Sequence, residues 1–261
     1  MTVSQTSGDP FVDYYAEQSL TETSLRRFRE LRDKVLRAYY ARAQERAADV
    51  LDVGCGPGVL SLLFAEEGHR VTGVDINEAL IDIACSRARE AEANARFLVG
   101  SADALPVPSD SVDICLAPEL LEHVPDWQRC LEEITRVLRP GGVLFLTTTN
   151  VLCPVQDEFR LPGYSWYPGA VKRRCIELAR TRHPEWVNHA TYPAFHWFSF
   201  FQLQRELEKR GFACMDRFDT ADPGAGRLKG VVRQMVQRVP GARFVGHVFT
   251  PYTQLIAVRR D

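Results

Sequence analysis

The sequence predicts an α/β protein with a doubly wound parallel sheet that is covered by helices on both faces. Between Asp49 and Thr149, short apolar runs alternate with longer amphipathic segments, and strands that alternate with helices form βαβ units in a parallel sheet. A glycine-rich turn, Gly54–Gly58, follows the first apolar run. Ligands of such sheets bind at the carboxyl ends of the strands, so polar residues at those ends are the first candidates for a functional site.

The composition is that of an ordinary globular protein. The chain has 261 residues, of which 45% are hydrophobic and 25% charged, and this fits one large domain with additions. The net charge of -2 provides no overall field to attract nucleic acid. We expect a cytoplasmic protein without a secretory signal or a membrane span. The seven cysteines are widely spaced and form no CxxC pair, which is typical of reduced thiols.

The first part of the chain predicts one helix followed by the alternating region. Residues from about Thr21 to Arg46 carry apolar side chains at spacings of three and four, whereas the first ten residues are polar and expected to be loose. The alternating region then predicts, in chain order, strand Asp49–Gly54, helix Val59–Gly68, strand Arg70–Asp75, helix Glu78–Asn94, strand Ala95–Ser101, strand Ser111–Ala117, helix Asp126–Gly142 and strand Gly142–Thr149.

After Asn150 the alternation stops. The later elements are predicted as a short helix around Ala170–Ala179, a helix Ser199–Phe212 and two strands, Phe212–Asp219 and Thr250–Arg260. We therefore divide the chain into an N-terminal helical cap (1–48), a core (49–150), an insertion (151–198) and a C-terminal helix with strands (199–261).

The turn "LDVGCGPG", Leu51–Gly58, is a strand that enters a helix through three glycines. Glycine allows tight turning and close approach of the backbone to a ligand. A dinucleotide fingerprint has the spacing GxGxxG, whereas this turn has GxGxG, which disfavours a nicotinamide oxidoreductase. By itself the turn is equally consistent with a tight strand-to-helix connection.

Two carboxylates at later strand ends make a nucleotide site the better interpretation. Asp75 ends the next strand and could accept hydrogen bonds from ribose hydroxyls. Asp103 follows the third strand and could accept from an adenine amine. Each also has a structural interpretation, Asp75 as a helix cap and Asp103 as a turn residue, but turn chemistry does not explain all three features in this order.

Three stretches of the sequence resemble the class I S-adenosylmethionine-dependent methyltransferases. They are "VLDVGCGPGVLSLLFAEEGHRVTGVDIN", "GSADALPVPSDSVDI" and "ITRVLRPGGVLFLTT". The resemblance covers roughly Val50–Thr149. It implies a Rossmann-like, mostly parallel seven-stranded sheet whose last strand is antiparallel, with the glycine loop under the methionine part of the cofactor, Asp75 on the ribose and Asp103 near adenine. The implied cofactor-binding residues are Arg37, Asp52, Gly54, Cys55, Gly56, Asp75, Ile76, Ala102, Asp103, Ala104 and Pro118.

The motif "PELLEHVPD" follows the fourth strand and contains Glu119, Glu122 and His123. At positions i, i+3 and i+4 these side chains would share one face of a helix. The motif resembles that of the ubiquinone-biosynthesis O-methyltransferases, which act on polyprenylated catechols, and this resemblance implies that the three residues hold a divalent cation such as Mg²⁺. His123 as a metal-free general base is an equal alternative, and a solvated helix start is a third.

Arg37 resembles an arginine that meets the methionine carboxylate in those enzymes, and Arg32 competes for the role. On the preceding segment, Tyr14 and Tyr15 could pack near the sulfonium, because aromatic faces attract cations.

The insertion is rich in aromatic and basic residues between Phe159 and Phe201. Three interpretations stay open: a lid over an apolar acceptor, a peripheral contact with anionic lipid, or an accessory subdomain with its own core. His189 and His196 are candidates for the acceptor side.

We therefore expect an S-adenosylmethionine-dependent O-methyltransferase that acts on a hydroxylated aromatic or quinone-like small molecule, which could be lipid-like. An N- or C-methyltransferase of a natural product or sugar is the first alternative. A cofactor-binding protein without catalytic activity is the second.

Overall fold

The fold was taken from a computed structural model, which describes residues 9–42, 47–155, 159–187, 194–220, 236, 239 and 241–260. Its centre is one seven-stranded sheet in the order β3-β2-β1-β4-β5-β7-β6. The first five strands pair in parallel, and β7 runs antiparallel to both β5 and β6. The strands are β1 Asp49–Val53, β2 Arg70–Asp75, β3 Ala95–Val99, β4 Val112–Pro118, β5 Leu138–Thr149, β6 Phe212–Asp216 and β7 Tyr252–Arg259. The expected fold class is thus confirmed.

Helices cover the sheet, and their bounds follow most of the predicted periodicity. Within the described ranges they are α1 Pro10–Gln18, α2 Glu22–Tyr40, α3 Val59–Glu66, α4 Glu78–Glu90, α5 Trp127–Val137, α6 Gly169–Thr181, α7 Phe200–Lys209 and α8 Ala242–Val248, with short 3₁₀ turns at Tyr164–Trp166 and Pro184–Trp186.

The N-terminal region contains two helices where the pattern predicted one. The Asp9 side chain caps α1 by accepting from the Phe11 amide, and Pro10 occupies the first turn. Proline fits there because its missing N–H would be unsatisfied anyway. Thr21 caps α2 by accepting from the Ser24 amide. The prediction that residues up to Pro10 are loose was therefore wrong at Asp9 and Pro10, which begin a helix.

The predicted helix Asp126–Gly142 ends earlier, at Val137, and β5 begins at Leu138. The Pro-Gly-Gly sequence lies inside this first part of β5 and not at the end of the helix. Gly141 has a φ of 78° there, a left-handed value that glycine adopts at little cost.

Alternate residues of the central strands face two separate cores, as the two-residue period of a strand requires. Cys115 and Ala117 of β4 join the core under α5 and α7, whereas Ile114 and Leu116 join the core under α2 and α3. Both faces are thus buried, and functional side chains are left to the ends of the strands.

The insertion has a small core of its own. Phe159, Tyr164, Cys175, Ala179 and Val187 are buried together, and the Phe159 and Tyr164 rings stack with centroids 3.9 Å apart. Trp166 and Phe195 nevertheless remain 60% and 52% exposed. None of the helices in the described ranges has the length and apolar character needed to cross a membrane.

Candidate active site

The glycine-rich turn connects β1 to α3 through three left-handed glycines, Gly54, Gly56 and Gly58. A Cβ atom at Gly58 would lie 2.8 Å from Cβ of Ala84, so this glycine is required by packing against α4. A Cβ at Gly56 would meet nothing within 4 Å. The turn therefore has one face against the protein and one face open, which is the shape of a cradle for a ligand.

Asp75, the last residue of β2, holds this turn in place. Its Oδ2 accepts from the Gly56 amide at 2.8 Å, and its Oδ1 accepts from the Asn77 amide at 2.9 Å. Each carboxylate oxygen has two lone pairs, so Asp75 retains acceptor capacity for ribose hydroxyls. The adjacent Ile76 is 75% exposed and offers an apolar surface beside the carboxylate.

The turn after β3 contains the predicted cofactor-binding residues Ala102, Asp103 and Ala104. The Ser101 hydroxyl donates to Asp103 Oδ1 at 2.5 Å, and the Ala104 amide donates to the Ser101 carbonyl at 3.1 Å. Ala102 lies between them, and its side chain packs partly buried against the core. Pro118 ends β4 on the other side of β1.

Asp52 lies behind the cradle and is 1% exposed. Its Oδ2 accepts from the Ser61 hydroxyl at 2.6 Å, whereas its Oδ1 has no hydrogen-bond partner in the part of the chain that the structure describes. Burial raises the pKa of Asp52 to about 7. The hydrogen bond from Ser61 lowers this pKa, and repulsion from Asp75 raises it by a smaller amount. A buried carboxylate oxygen without a donor fits a ligand that brings one, such as the ammonium of the methionine part of the cofactor.

Cys55 differs from its neighbours because its side chain points into the protein. It is 7% exposed, and burial raises the pKa of the thiol. Any contact of Cys55 with a cofactor would therefore be made by its backbone.

Arg87 of α4 ties the N-terminal region to the cradle. Its guanidinium donates to the carbonyls of Pro57 and Ala16 at 2.9 Å each, and to the Ser19 hydroxyl at 3.2 Å. Three contacts from one planar, always charged group hold the end of α1 beside the glycine turn. This places the helix that carries Tyr14 and Tyr15 next to the cradle.

The segment 119–123 is a turn, and the predicted helical face of Glu119, Glu122 and His123 is wrong. Glu119 has a φ of 52°, outside the helical region, and α5 begins only at Trp127. The Glu119 amide instead donates to the Thr147 carbonyl at 2.8 Å. The left-handed residue reverses the chain at the end of β4, so the three side chains do not share one face.

The three residues have different surroundings. Glu119 is half exposed and pairs with Arg27 at 2.9 Å. Glu122 is 2% exposed and accepts from the Thr148 hydroxyl at 2.7 Å. His123 is partly buried, and its Nδ1 atom is inaccessible. The turn adjoins the cradle, because a Cβ at Gly54 would lie 3.1 Å from Leu120 Cδ1.

These surroundings do not fit a metal centre. Across the described ranges, no group of three His, Cys, Asp or Glu side chains is arranged to hold a metal ion. Glu119 is directed to Arg27 and Glu122 to Thr148, so the predicted magnesium ligands Glu119, Glu122 and His123 do not converge.

Arg27 is the arginine of α2 that reaches the 119–123 turn. The course of α2 does not support the predicted contact of Arg37 with the methionine carboxylate. The Arg27 end of the helix reaches Glu119, whereas Tyr40 at the other end bonds to His69 at 3.3 Å, beside the amino end of β2. Ten residues of helix place Arg37 about 15 Å along the axis from Arg27. Arg32 pairs with Glu67 at 2.8 Å.

Sequence reasoning also missed Thr147 and Thr148, which bond to the 119–123 turn. Their signal is the run "TTT" at the end of an apolar strand, where three hydroxyls must find partners once buried. Of the two insertion histidines, His189 lies outside the described residues. His196 lies beside the turn, where its amide donates to the Glu122 carbonyl at 3.3 Å.

The fold and the central sequence are similar to those of known methyltransferases. Residues 51–146 match the model of a family described as "Methyltransferase domain". A crystal structure of an S-adenosylmethionine dependent methyltransferase from Mesorhizobium loti shares the fold, with a TM-score of 0.57 at 20% identity over 87% of this chain and 98% of that one. Residues 51–146 thus resemble a methyltransferase domain in sequence, and the chain is similar in fold to that solved structure.

Relatives in sequence match the same central part. A ubiquinone biosynthesis O-methyltransferase from Coxiella burnetii is 44% identical over 101 residues, which are 39% of this chain and 43% of the relative. A malonyl-[acyl-carrier protein] O-methyltransferase from Serratia marcescens is 35% identical over 99 residues, 38% of this chain and 37% of the relative. The chain thus spans about two fifths of the length of these curated relatives.

Proposed function

We propose that the protein transfers a methyl group from S-adenosylmethionine to an oxygen of a hydroxylated aromatic or quinone-like small molecule. The observation that carries this proposal is that the 119–123 turn adjoins the glycine cradle, with Leu120 Cδ1 3.1 Å from the position of a Cβ on Gly54. A cofactor in the cradle and an acceptor against the turn would meet at the carboxyl ends of β1 and β4. The names of the two sequence relatives favour oxygen over nitrogen or carbon as the acceptor atom.

The residues present suit the cofactor. Gly56 leaves the open face of the cradle free of a side chain, Asp75 has acceptor capacity for the ribose, and Ile76 offers an exposed apolar face for the adenine. The Asp52 oxygen without a donor suits an ammonium group. When bound, the cofactor supplies a methyl group on a positively charged sulfur, which any aligned nucleophile can attack.

The chain's own contribution would then be alignment and proton transfer. Methyl transfer needs the nucleophile, the carbon and the sulfur in line, so its rate depends strongly on positioning. His123 would take the hydroxyl proton as general base. Glu122, held by Thr148, fixes the turn on which His123 lies.

Calorimetry with S-adenosylhomocysteine tests the cofactor site. We expect binding to the wild type and a loss of about tenfold or more in Asp75→Ala, because the variant removes the ribose acceptor and the anchor of the glycine turn. Asp82→Ala is the matched control, since Asp82 is exposed on α4. Absence of binding to the wild type, or equal affinity in Asp75→Ala, would contradict the assignment.

Transfer of a labelled methyl group to catechol and 3,4-dihydroxybenzoate tests the chemistry, and mass spectrometry of the product identifies the methylated atom. We expect methyl ethers, formed equally with chelator and with added Mg²⁺. Transfer only to amines, or to no acceptor despite cofactor binding, would favour the N-methyltransferase or the binding-protein alternative. Activity that requires the metal would restore the cation interpretation of the turn.

A further inference from the structure

The insertion contains a cavity of about 200 Å³ whose described lining residues include Tyr164, Lys172, Arg173, Phe195 and Trp197. We call it the insertion cavity. Its walls combine three aromatic rings with two cations, and the described lining contains no Asp or Glu. Rings with cations and no carboxylate are the complement of an anionic aromatic compound.

Lys172 is the central charge of this cavity. Its ammonium lies 5.3 Å from the ring centre of Trp197 and 5.7 Å from that of Tyr164. One of its three donors is used by the Ser165 carbonyl at 2.8 Å. Among the residues that the structure describes, no carboxylate pairs with Lys172, and burial lowers the pKa of its ammonium. The other two donors of its ammonium could bind a counter-ion at this place.

A second polar group lacks a partner in the same lining. Tyr164 is fully buried, and within the described ranges its hydroxyl makes no hydrogen bond. Burial also raises the pKa of this hydroxyl, which keeps it a donor. Because this hydroxyl is also inaccessible, Tyr164 meets the cavity with its ring and not with its oxygen.

The start of α6 contributes to the same electropositive surface. Gly169, its first residue, lines the cavity, and Pro168 before it provides no side-chain cap. The amides of a first helical turn attract anions. Arg173 follows one turn later, with its Nη1 atom 3.7 Å from the position of a Cβ on Gly169.

The cavity adjoins the candidate active site through one chain segment. Phe195 lines the cavity with its side chain, while its amide donates to the Glu122 carbonyl at 2.7 Å. The next residue, His196, has its carbonyl bonded to the Thr149 hydroxyl at 3.0 Å. A molecule that reaches across this segment could contact both the 119–123 turn and Lys172.

We propose that the insertion cavity binds a carboxylate carried by the aromatic methyl acceptor, with Lys172 as its charge partner. This proposal rests on the proposed methyltransferase function and narrows its substrate class to acidic phenols. Lys172 is then a specificity-determining residue that takes no part in methyl transfer itself.

Binding of 3,4-dihydroxybenzoate and of its neutral analogue 3,4-dihydroxybenzamide tests the proposal, with and without S-adenosylhomocysteine. Calorimetry and the fluorescence of Trp197 and its fellow tryptophans give readouts that do not require turnover. We expect the wild type to prefer the carboxylate by about tenfold, the effect of one charge-assisted contact. Equal affinity for the two compounds in the wild type would overturn the proposal without any variant.

Variants then test whether Lys172 causes the preference for the carboxylate over the amide. Lys172→Gln should remove the preference for the carboxylate, and Lys172→Arg should retain most of it. Arg174→Gln is the matched control, because Arg174 lies on the same helix, is exposed and pairs with Glu177 at 2.6 Å. An undiminished preference in a folded Lys172→Gln protein, or its loss in Arg174→Gln, would contradict the assignment to Lys172.

The two proposals fail in different ways. Methyl transfer to the acid and the amide with equal kcat/KM would remove the subsite and leave the methyltransferase function standing. Binding of the acid through Lys172 without any methyl transfer would keep the subsite and remove the proposed reaction.

Discussion

The Thr148 hydroxyl donates a hydrogen bond of 2.7 Å to the Glu122 carboxylate, and both residues are almost completely buried. Thr148 belongs to β5, whereas Glu122 belongs to the turn that follows β4. The bond thus fixes the candidate catalytic turn to the neighbouring strand. Since the backbone carbonyl of Glu122 also accepts from Phe195, this one residue connects the sheet, the turn and the insertion.

Replacing Thr148 by valine should destabilise the protein by about 1–3 kcal/mol, because a buried carboxylate loses a donor without a change in side-chain shape. Urea unfolding measures this loss. Thr148→Ser keeps the hydroxyl and should cost less. If valine and serine are equally tolerated, the bond does not hold the turn.

Replacing His123 by asparagine should lower the methyl-transfer rate by about 10²–10⁴-fold if His123 is the general base. Affinity for S-adenosylhomocysteine should stay within about twofold, because the cradle is unchanged. His183→Asn serves as control, since His183 lies in the insertion and bonds to Glu185. An unchanged rate in His123→Asn would exclude the base role.

The protonation of Asp52 should make stability depend on pH. Burial raises its pKa to about 7 from an ordinary value of 3.8, so the folded state keeps a proton that the unfolded chain has released. Stability should therefore fall as the pH rises from about 4 to about 7, and then level off, by up to about 4 kcal/mol. Asp52→Asn cannot ionise and should lack this decline.

Urea unfolding of the wild type and Asp52→Asn at pH 5 and pH 8 measures the difference. Asp82→Asn provides an exposed control. A decline of equal size in Asp52→Asn and in the wild type would show that other groups cause it.

The Asp216 carboxylate should stabilise the folded protein with a pH dependence opposite to that of Asp52. Its Oδ2 lies 2.9 Å from His247 Nε2 and 2.7 Å from Arg243 Nε, and these contacts connect β6 to α8. Burial alone raises the pKa of Asp216, but the hydrogen bonds from His247 and Arg243 outweigh it and hold the pKa below the ordinary value. The stabilisation is therefore complete above about pH 4 and is lost as the pH falls further.

Asp216→Asn should lower the free energy of unfolding at pH 7 by about 3 kcal/mol, because it removes the counter-charge of Arg243 and the carboxylate that bonds to buried His247. The variant should also lose less stability than the wild type between pH 5 and pH 3. Asp110→Asn, which removes a more exposed pair with Arg259, should cost less than about 1 kcal/mol. Equal losses in the two variants would contradict the network.

Strands β1 to β4 could be predicted to within two residues, because each is a short apolar run bounded by glycine or a charged residue, whereas β5 begins at Leu138 and not at the predicted Gly142. The glycine turn and Asp75 were predictable for a related reason. They follow consecutive strands of one parallel sheet, and the carboxyl ends of such strands meet at one edge. A local pattern is sufficient wherever the partners of a residue follow from strand order.

The 119–123 turn shows where the local pattern fails. The spacing of Glu119, Glu122 and His123 is compatible with a helix, but hydrogen bonds to Thr147 and Thr148 of another strand hold the segment in a turn. Likewise, the apolar spacing predicts that α2 is a helix but does not show which end of it meets the site. The direction in which α2 crosses the sheet puts Arg27, and not Arg37, against Glu119.

The sequence by itself determined the sheet, the cradle and the class of the central domain, since periodicity and glycine placement are properties of neighbours in the chain. Only the tertiary structure decided that Glu119, Glu122 and His123 do not converge as a ligand set, and that Lys172 lies against the rings of Tyr164 and Trp197. Those outcomes depend on contacts between segments far apart in the chain, and no local spacing encodes such contacts.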